Sequence, residues 1–250
     1  LNNKEEVEVK KMTNADILKQ GIEELGLKCS DETINKFRKY REILVEWNQK
    51  MNLTGIEEEK EVYIKHFLDS VAVVKEGYIK DGMSIIDVGT GAGFPGLPLR
   101  ICLENSKVTL LDSLNKRINF LSEVCKNIDI DDVELIHGRA EDFGKDGNYR
   151  EQYDIATARA VAGLPILMEF CAPFIKVGGY FVCLKGPNAD TELEESKKAM
   201  ELLGLDFVEK IDVELPEIEL KHNIVVFKKI NNTPAKYPRK AGKPVKSPIK

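Results

Sequence analysis

Apolar residues recur every three or four positions through the first third of the chain, then give way to short β-branched runs alternating with helical periods. Ile17, Leu18, Ile22 and Leu25 mark one amphipathic helix, with Thr13 and Asp16 as a capping pair and Gly26 as its stop. Ile34, Phe37, Tyr40, Leu44 and Trp47 mark a second, capped at Ser30 or Asp31, and Ile64, Phe67, Leu68 and Val71 a third over 62–74. A polar connection over 48–56 separates these two. Beyond residue 83 the pattern predicts strands at 84–88, 108–111, 133–136, 153–157, 180–184, 207–213 and 224–228. Helical periods at 97–103, 115–126, 163–174 and 191–203 intervene. This alternation implies an α/β fold: a Rossmann-like, mostly parallel seven-stranded sheet with helices on both faces, preceded by a small helical region. The last two strands have no helix between them, so an antiparallel terminal hairpin is expected. The chain divides at 1–80, 81–230 and 231–250.

Composition changes this picture little: 42% hydrophobic and 32% charged residues fit a folded globular chain. No apolar run approaches the roughly 20 residues of a membrane helix, and the polar start does not fit a secretory signal. Five scattered cysteines without a CxxC pair read as free thiols in a reducing cytoplasm. His66, His137 and His222 show no metal-ligand spacing, so no metal is expected. Charge matters more. Residues 231–250 hold six basic and no acidic residues, so the net −5 leaves the other 230 residues at −11. A basic, proline-rich tail on an acidic body can keep a local positive field, because salt screens each patch beyond about 10 Å.

The strongest chemical signal is DVGTGAGFPG at 87–96, directly after a predicted strand and opening a helix. Glycines there let the backbone approach a ligand, and the carboxyl ends of strands are where open α/β sheets bind. Gly91, Gly93 and Gly96 also satisfy GxGxxG, and Asp112 lies about 20 residues on, so an NAD-dependent oxidoreductase is a genuine alternative. Three features favour S-adenosylmethionine: an acidic residue two before Gly89, Pro95 at the helix entry, and the polar group Arg139, Ala140, Glu141 and Asp142 after the third strand. Nothing resembles a hydride-transfer Tyr-x-x-x-Lys. Residues 81–230 are then an S-adenosylmethionine-binding methyltransferase domain of class I, with Asp112 on the cofactor ribose. Asp112 as a cap for the following helix is the bland alternative, and one residue can do both.

Methyl transfer from a sulfonium needs an in-line nucleophile and little else. Enzymes acting on exocyclic amines carry Asn/Asp-Pro-Pro-aromatic after the fourth strand. This chain has TARAV at 157–161, and it lacks the proline-flanked cysteine of cytosine-C5 enzymes. An acceptor with its own lone pair, such as guanine N7, suits such a site, and proximity then supplies most of the catalysis. Arg159 is the candidate positioning residue, holding either the cofactor carboxylate or an RNA phosphate. No general base is apparent, which keeps open a cofactor-binding protein without catalysis.

MNLT at 51–54, HFLDS at 66–70, the 87–99 loop, LDSLNKR at 111–117, RAE at 139–141, Arg159-Ala160 and LKG at 184–186 occur in an order that resembles one family. It is the bacterial 16S rRNA guanine-N7 methyltransferase G family, also called glucose-inhibited division protein B, and the likeness spans about 30–229. The resemblance implies methylation of guanine 527, in the 530 loop of 16S rRNA; the expected setting is a small-subunit particle in the cytoplasm, with naked rRNA left open as the substrate. A methyltransferase acting on another RNA site is the nearer alternative. It further implies cofactor contacts at Gly89, Phe94, Ala140, Glu141 and Arg159, joined here by Gly91, Gly93 and Asp112. RNA-facing candidates are Asn52, His66, Asp69, Ser70, Lys185, Tyr237, Arg239 and Lys240, the last three on the tail. His66, Asp69 and Ser70 suit a hydrogen-bonded helix junction equally well, and the tail suits disorder. A monomer is expected.

Overall fold

The computed structural model describes residues 12–159, 162–216 and 218–250. Helix α1 (Asn14–Glu24) starts at a capping box in which Thr13 and Asp16 satisfy each other's backbone N–H. Helix α2 (Asp31–Met51) is capped by the Ser30 hydroxyl and ends at Asn52 in the left-handed region, φ 49°. It runs past the expected end because Asn48, polar in sequence, is buried and useful. Its Nδ2 donates to Glu57 Oε1 (2.7 Å) and its Oδ1 accepts from the Thr54 N–H (2.9 Å), tying the following connection to the helix. A composite helical segment comes next: Glu59–Glu61, a π-helical stretch Val62–Leu68, Asp69–Val71 and the 3-10 turn Ala72–Val74.

The sheet comprises β1 (Ser84–Val88), β2 (Lys107–Asp112), β3 (Val133–His137), β4 (Tyr153–Arg159), β5 (Ile175–Lys185), β6 (Leu205–Leu215) and β7 (Ile218–Lys229). Their order is β3-β2-β1-β4-β5-β7-β6, parallel through β5, with β7 antiparallel to both β5 and β6. The predicted fold is thus observed, including the terminal hairpin. Period-two alternation divides the strands between two cores. Ile85, Ile155, Val182 and Leu184 face the N-terminal helices and helices Gly96–Cys102 and Asn115–Asn127. Ile86, Ala156, Phe181 and Cys183 face helices Leu164–Cys171 and Lys197–Leu203 on the other side. The helices before β1 therefore share a core with the sheet.

Departures from the pattern include β7, which begins at Ile218 rather than 224, and two elements whose cause is visible. β5 begins at Ile175 rather than 180, through Lys176, Val177 and Gly178, which are exposed and carry no alternation to read. The helical period at 191–203 is two helices, Ala189–Glu195 and Lys197–Leu203. They part at Ser196, whose hydroxyl donates back to the Glu192 carbonyl (2.6 Å) in place of a continuous ladder.

Candidate cofactor and substrate site

The loop after β1 is built on a buried carboxylate. Asp87 Oδ2 accepts from the Thr90 hydroxyl (2.6 Å) and the Gly96 N–H (2.9 Å), and burial pushes its pKa up to about 6. The N–H groups of Gly89 and Thr90 donate to the Leu111 carbonyl of β2 (2.8 and 3.1 Å), and the Tyr40 hydroxyl of α2 donates to the Ala92 carbonyl. Asp87 is therefore a strut beneath the loop. Gly93 is required twice over: its φ is +96°, and a Cβ there would lie 2.5 Å from the Tyr40 hydroxyl and 2.8 Å from Leu121.

Two lobes open above this loop. The larger, about 380 Å³, is lined by Gly89, Thr90, Gly91, Ala92, Phe94, Asp112, Ser113 and Arg117, with Leu53, Thr54, His66 and Arg159 as its remaining walls. The smaller, about 150 Å³, is lined by Val88, Gly89, Leu111, Asp112, Ser113, the 138–141 turn after β3, Phe170, Gly242 and Val245. They share Gly89, Asp112 and Ser113, so Asp112 stands at the waist of one elongated trough. The Asp112 carboxylate is buried. Its Oδ2 accepts from the Gly91 N–H (2.9 Å) and Arg117 (3.1 Å), while Oδ1 accepts from the Leu114 N–H (2.9 Å) ahead of helix Asn115–Asn127. A place in the wall of both lobes and helix-entry bonding coexist in this one residue.

Arg159 ends β4 inside the larger lobe. Its Nη1 donates to the Lys65 carbonyl (3.1 Å) and Asp69 Oδ2 (3.3 Å), and its Nη2 to His66 Nδ1 (3.2 Å). The guanidinium lies 4.7 Å from the Phe94 ring centroid, and His66 stacks on the same ring at 4.6 Å. Burial pulls the Arg159 pKa below its ordinary value, against the opposing charge of Asp69. Asp69 Oδ1 in turn lies 2.9 Å from His222 Nε2 of β7, although the angle falls short of a hydrogen bond.

His66 has its pKa lowered to about 3, first by burial and then by Arg159. The unfolded chain binds a proton at this histidine near pH 6.5 and the folded chain does not, so stability is lost as pH falls below 6.5. Asp87 acts with the opposite sign, since its raised pKa favours the folded state as pH falls from 6 towards 4. Comparing His66→Gln with the unaltered chain isolates the first effect. The unaltered chain is expected to lose roughly 2 kcal/mol more than the variant between pH 7 and pH 5, read from urea midpoints at the two pH values.

The predicted RNA-facing residues fall in different places. Asn52 is exposed and borders a groove of about 450 Å³ with Lys50, Leu114, Lys116 and Arg117. Asp69 and His66 are buried in the network just described. Ser70 is fully buried, its hydroxyl donating to the His66 carbonyl (2.5 Å), and so presents no surface to RNA. Lys185 is buried against Glu192 (2.7 Å) and donates to the Ala162 carbonyl (3.0 Å). Of the motif Arg159-Ala160, Ala160 lies outside the described residues, as do residues 1–11 of the N-terminal region.

The tail is docked on the body. Arg150 donates to the carbonyls of Tyr237 (2.9 Å), Thr233 (2.5 Å) and Pro234 (3.3 Å), and Glu151 accepts from the Thr233 N–H (2.8 Å). The Tyr237 ring is buried, so as it lies it has no face for a base. Lys240 is exposed. Arg239 bonds the fully buried Glu169 through Nε (2.9 and 3.1 Å) and Nη2 (2.6 Å), and the Gly242 N–H donates to Glu141 Oε1 (2.9 Å). Removing the Arg239 side chain leaves the buried Glu169 carboxylate with the backbone N–H of residue 239 (2.8 Å) but no opposing charge. Arg239→Ala is expected to cost about 3 kcal/mol, with Glu169→Gln in the same chain recovering part of it in a urea titration. Thr54, Arg117, Phe170, Gly242 and Val245 line the trough without having been singled out from sequence. Thr54 and Arg117 sit in motifs whose other members were, whereas the last three join the site only through tertiary docking.

Comparison with known proteins gives a family and a fold. Residues 33–217 match the family model described as GidB, rRNA small subunit methyltransferase G. The ribosomal RNA small subunit methyltransferase G of Alkaliphilus oremlandii (strain OhILAs) is 57% identical over 94% of this chain and 98% of its own. The protein of the same name from Acetivibrio thermocellus is 50% identical over 93% of this chain and 96% of its own. Among solved structures, a SAM dependent methyltransferase from Aquifex aeolicus superposes with a TM-score of 0.53 at 18% identity, over 71% of this chain and 97% of that one, a likeness of fold.

Proposed function

This chain belongs to the rRNA small subunit methyltransferase G family, and on that premise we infer that it moves the methyl group of S-adenosylmethionine to N7 of a guanine in 16S rRNA, guanine 527 in the 530 loop. The observation that carries this reading is the two-lobed trough with a buried carboxylate at its waist. An adenosyl group and an amino-acid group joined through a ribose need that shape. Asp112 faces the ribose hydroxyls, the turn at Ala140 and Glu141 takes the adenine, and the glycine loop with Arg159 takes the methionine end. Family membership displaces the nicotinamide reading of the same glycines.

The cofactor, when bound, supplies a methyl group already activated by its sulfonium. The protein's part is placement. Arg159 is fixed by three acceptors and by Phe94, so its charge meets an anionic group without rearranging. His66 stays neutral and adds no second charge beside it. Guanine N7 brings a lone pair and no proton, so no base is needed to take one, and orientation can lower the barrier by about 7–11 kcal/mol. The groove at Asn52, with Lys50, Lys116 and Arg117 beside the larger lobe, suits incoming phosphates, and Lys240 and its tail neighbours offer further cations. The protein works as a cytoplasmic monomer on a small-subunit particle, without a metal. Among the described residues, no helix is long and apolar enough to cross a membrane.

The test is transfer of labelled methyl to small-subunit particles lacking N7-methylguanine, with the product nucleoside identified by mass. N7-methylguanosine at one 16S site is expected. Label on another atom would overturn the acceptor while leaving the cofactor reading intact.

A further inference from the structure

Hydrogen-bond bookkeeping around His66 fixes a proton that the reaction above does not use. A guanidinium only donates, so His66 Nδ1, 3.2 Å from Arg159 Nη2, must accept. A neutral imidazole then carries its hydrogen on Nε2. That nitrogen lies 2.7 Å from Thr54 Oγ1 and therefore donates to it. The Ile56 N–H donates to the same oxygen at 3.0 Å. Both lone pairs of the Thr54 hydroxyl are thus engaged, and its own hydrogen has no acceptor among the described residues. Thr54 lines the larger lobe, beside Gly91, Ala92 and Arg159.

We propose that Thr54 is a base-reading residue, its hydroxyl locked as a donor that bonds O6 of the target guanine while N7 is left free for the methyl group. This rests on the guanine-N7 reading above and supplies its choice of base. On the edge that carries N7, guanine presents O6, an acceptor, whereas adenine presents an amino group, a donor. A hydroxyl free to rotate would serve either base, donating to one and accepting from the other. With its lone pairs occupied, this hydroxyl leaves an adenine amino group unpaired on entry, and an unpaired polar group in a closed site is what rejects a near-isosteric base. Arg159 is then linked to base choice as well as to orientation, because it sets the histidine tautomer two bonds away.

The experiment pairs a protein change with a base change. Thr54→Val keeps the shape and removes the hydroxyl, and Thr54→Ser keeps the hydroxyl. Small-subunit particles are reconstituted with either guanine or 2-aminopurine, which keeps N7 and lacks O6, at the target position. With guanine and S-adenosylmethionine saturating for each variant, Thr54→Val is expected to lower kcat/KM for the particle about tenfold, and Thr54→Ser to recover most of that loss. With 2-aminopurine, the unaltered enzyme is expected to be slow and Thr54→Val no slower. A loss of equal size on both bases would assign Thr54 a structural role and overturn the proposal, as would an unchanged rate for Thr54→Val on guanine. An unaltered enzyme that methylates no guanine in these particles would overturn the activity reading and this one with it.

Discussion

Arg159→Ala is expected to lower methyl transfer to small-subunit particles by a hundredfold or more, and Arg159→Lys by nearly as much. The size follows from removing a preorganised, largely buried charge, which in comparable cases costs about a hundredfold to a thousandfold in rate. Lysine is the informative variant. It restores a positive charge beside Asp69, so the fold and the Asp69 environment should survive. It cannot reach the Lys65 carbonyl, Asp69 and His66 at once while lying flat over Phe94, because a single ammonium has neither the fork nor the plane. Single-turnover rates with saturating cofactor, set beside thermal melts, separate the two. A lysine variant with normal melting and normal rate would reduce Arg159 to a source of charge.

Asp112→Ala is expected to weaken S-adenosylmethionine binding by about a hundredfold, as charge-assisted hydrogen bonds contribute about 1.5–3 kcal/mol each. Asp112 also accepts from the Gly91 N–H and from Leu114, so the alanine variant loosens the loop as well as the ribose contact. Asp112→Asn helps to separate these effects. Its amide oxygen can still accept one backbone bond, so intermediate affinity is expected. Titration calorimetry with S-adenosylmethionine and, separately, with NAD gives the measurement. Binding of NAD by the unaltered chain, or full cofactor affinity in the alanine variant, would sink the assignment of Asp112 to the ribose.

The sheet, its order of elements and the glycine loop were legible because each rests on local periodicity or on a motif in its strand-to-helix context. Ile85 and Ile86 already announce opposite faces by adjacency alone, once a strand is assumed. What escaped was set by partners far along the chain. Asn48 reads as a helix breaker until Glu57 and Thr54 are seen to use both ends of its amide. Arg239 and Lys185 read as RNA-facing cations, but Glu169 and Glu192 already hold them, and no spacing rule pairs residue 239 with residue 169. Tyr237 looks available for stacking because a proline-rich basic tail lacks the periodicity that would predict docking. Thr54 shows the remaining limit. Its motif was visible, but the direction of one hydroxyl hydrogen depends on a tautomer that only Arg159, 105 positions on, can fix.

The docked tail also changes what its charge can do. Of its six cations, Arg239 is neutralised inside the protein and Lys250 sits 3.3 Å from Glu195, while Lys236, Lys240, Lys243 and Lys246 make no ion pair among the described residues. An RNA meeting this face can therefore exchange at most four of its condensed counterions for tail lysines. On a single strand that amounts to an exponent of about −3 in the dependence of affinity on salt. The tail is a weak polyelectrolyte held on an acidic support, and an RNA bound through it would be released only gradually as ionic strength rises.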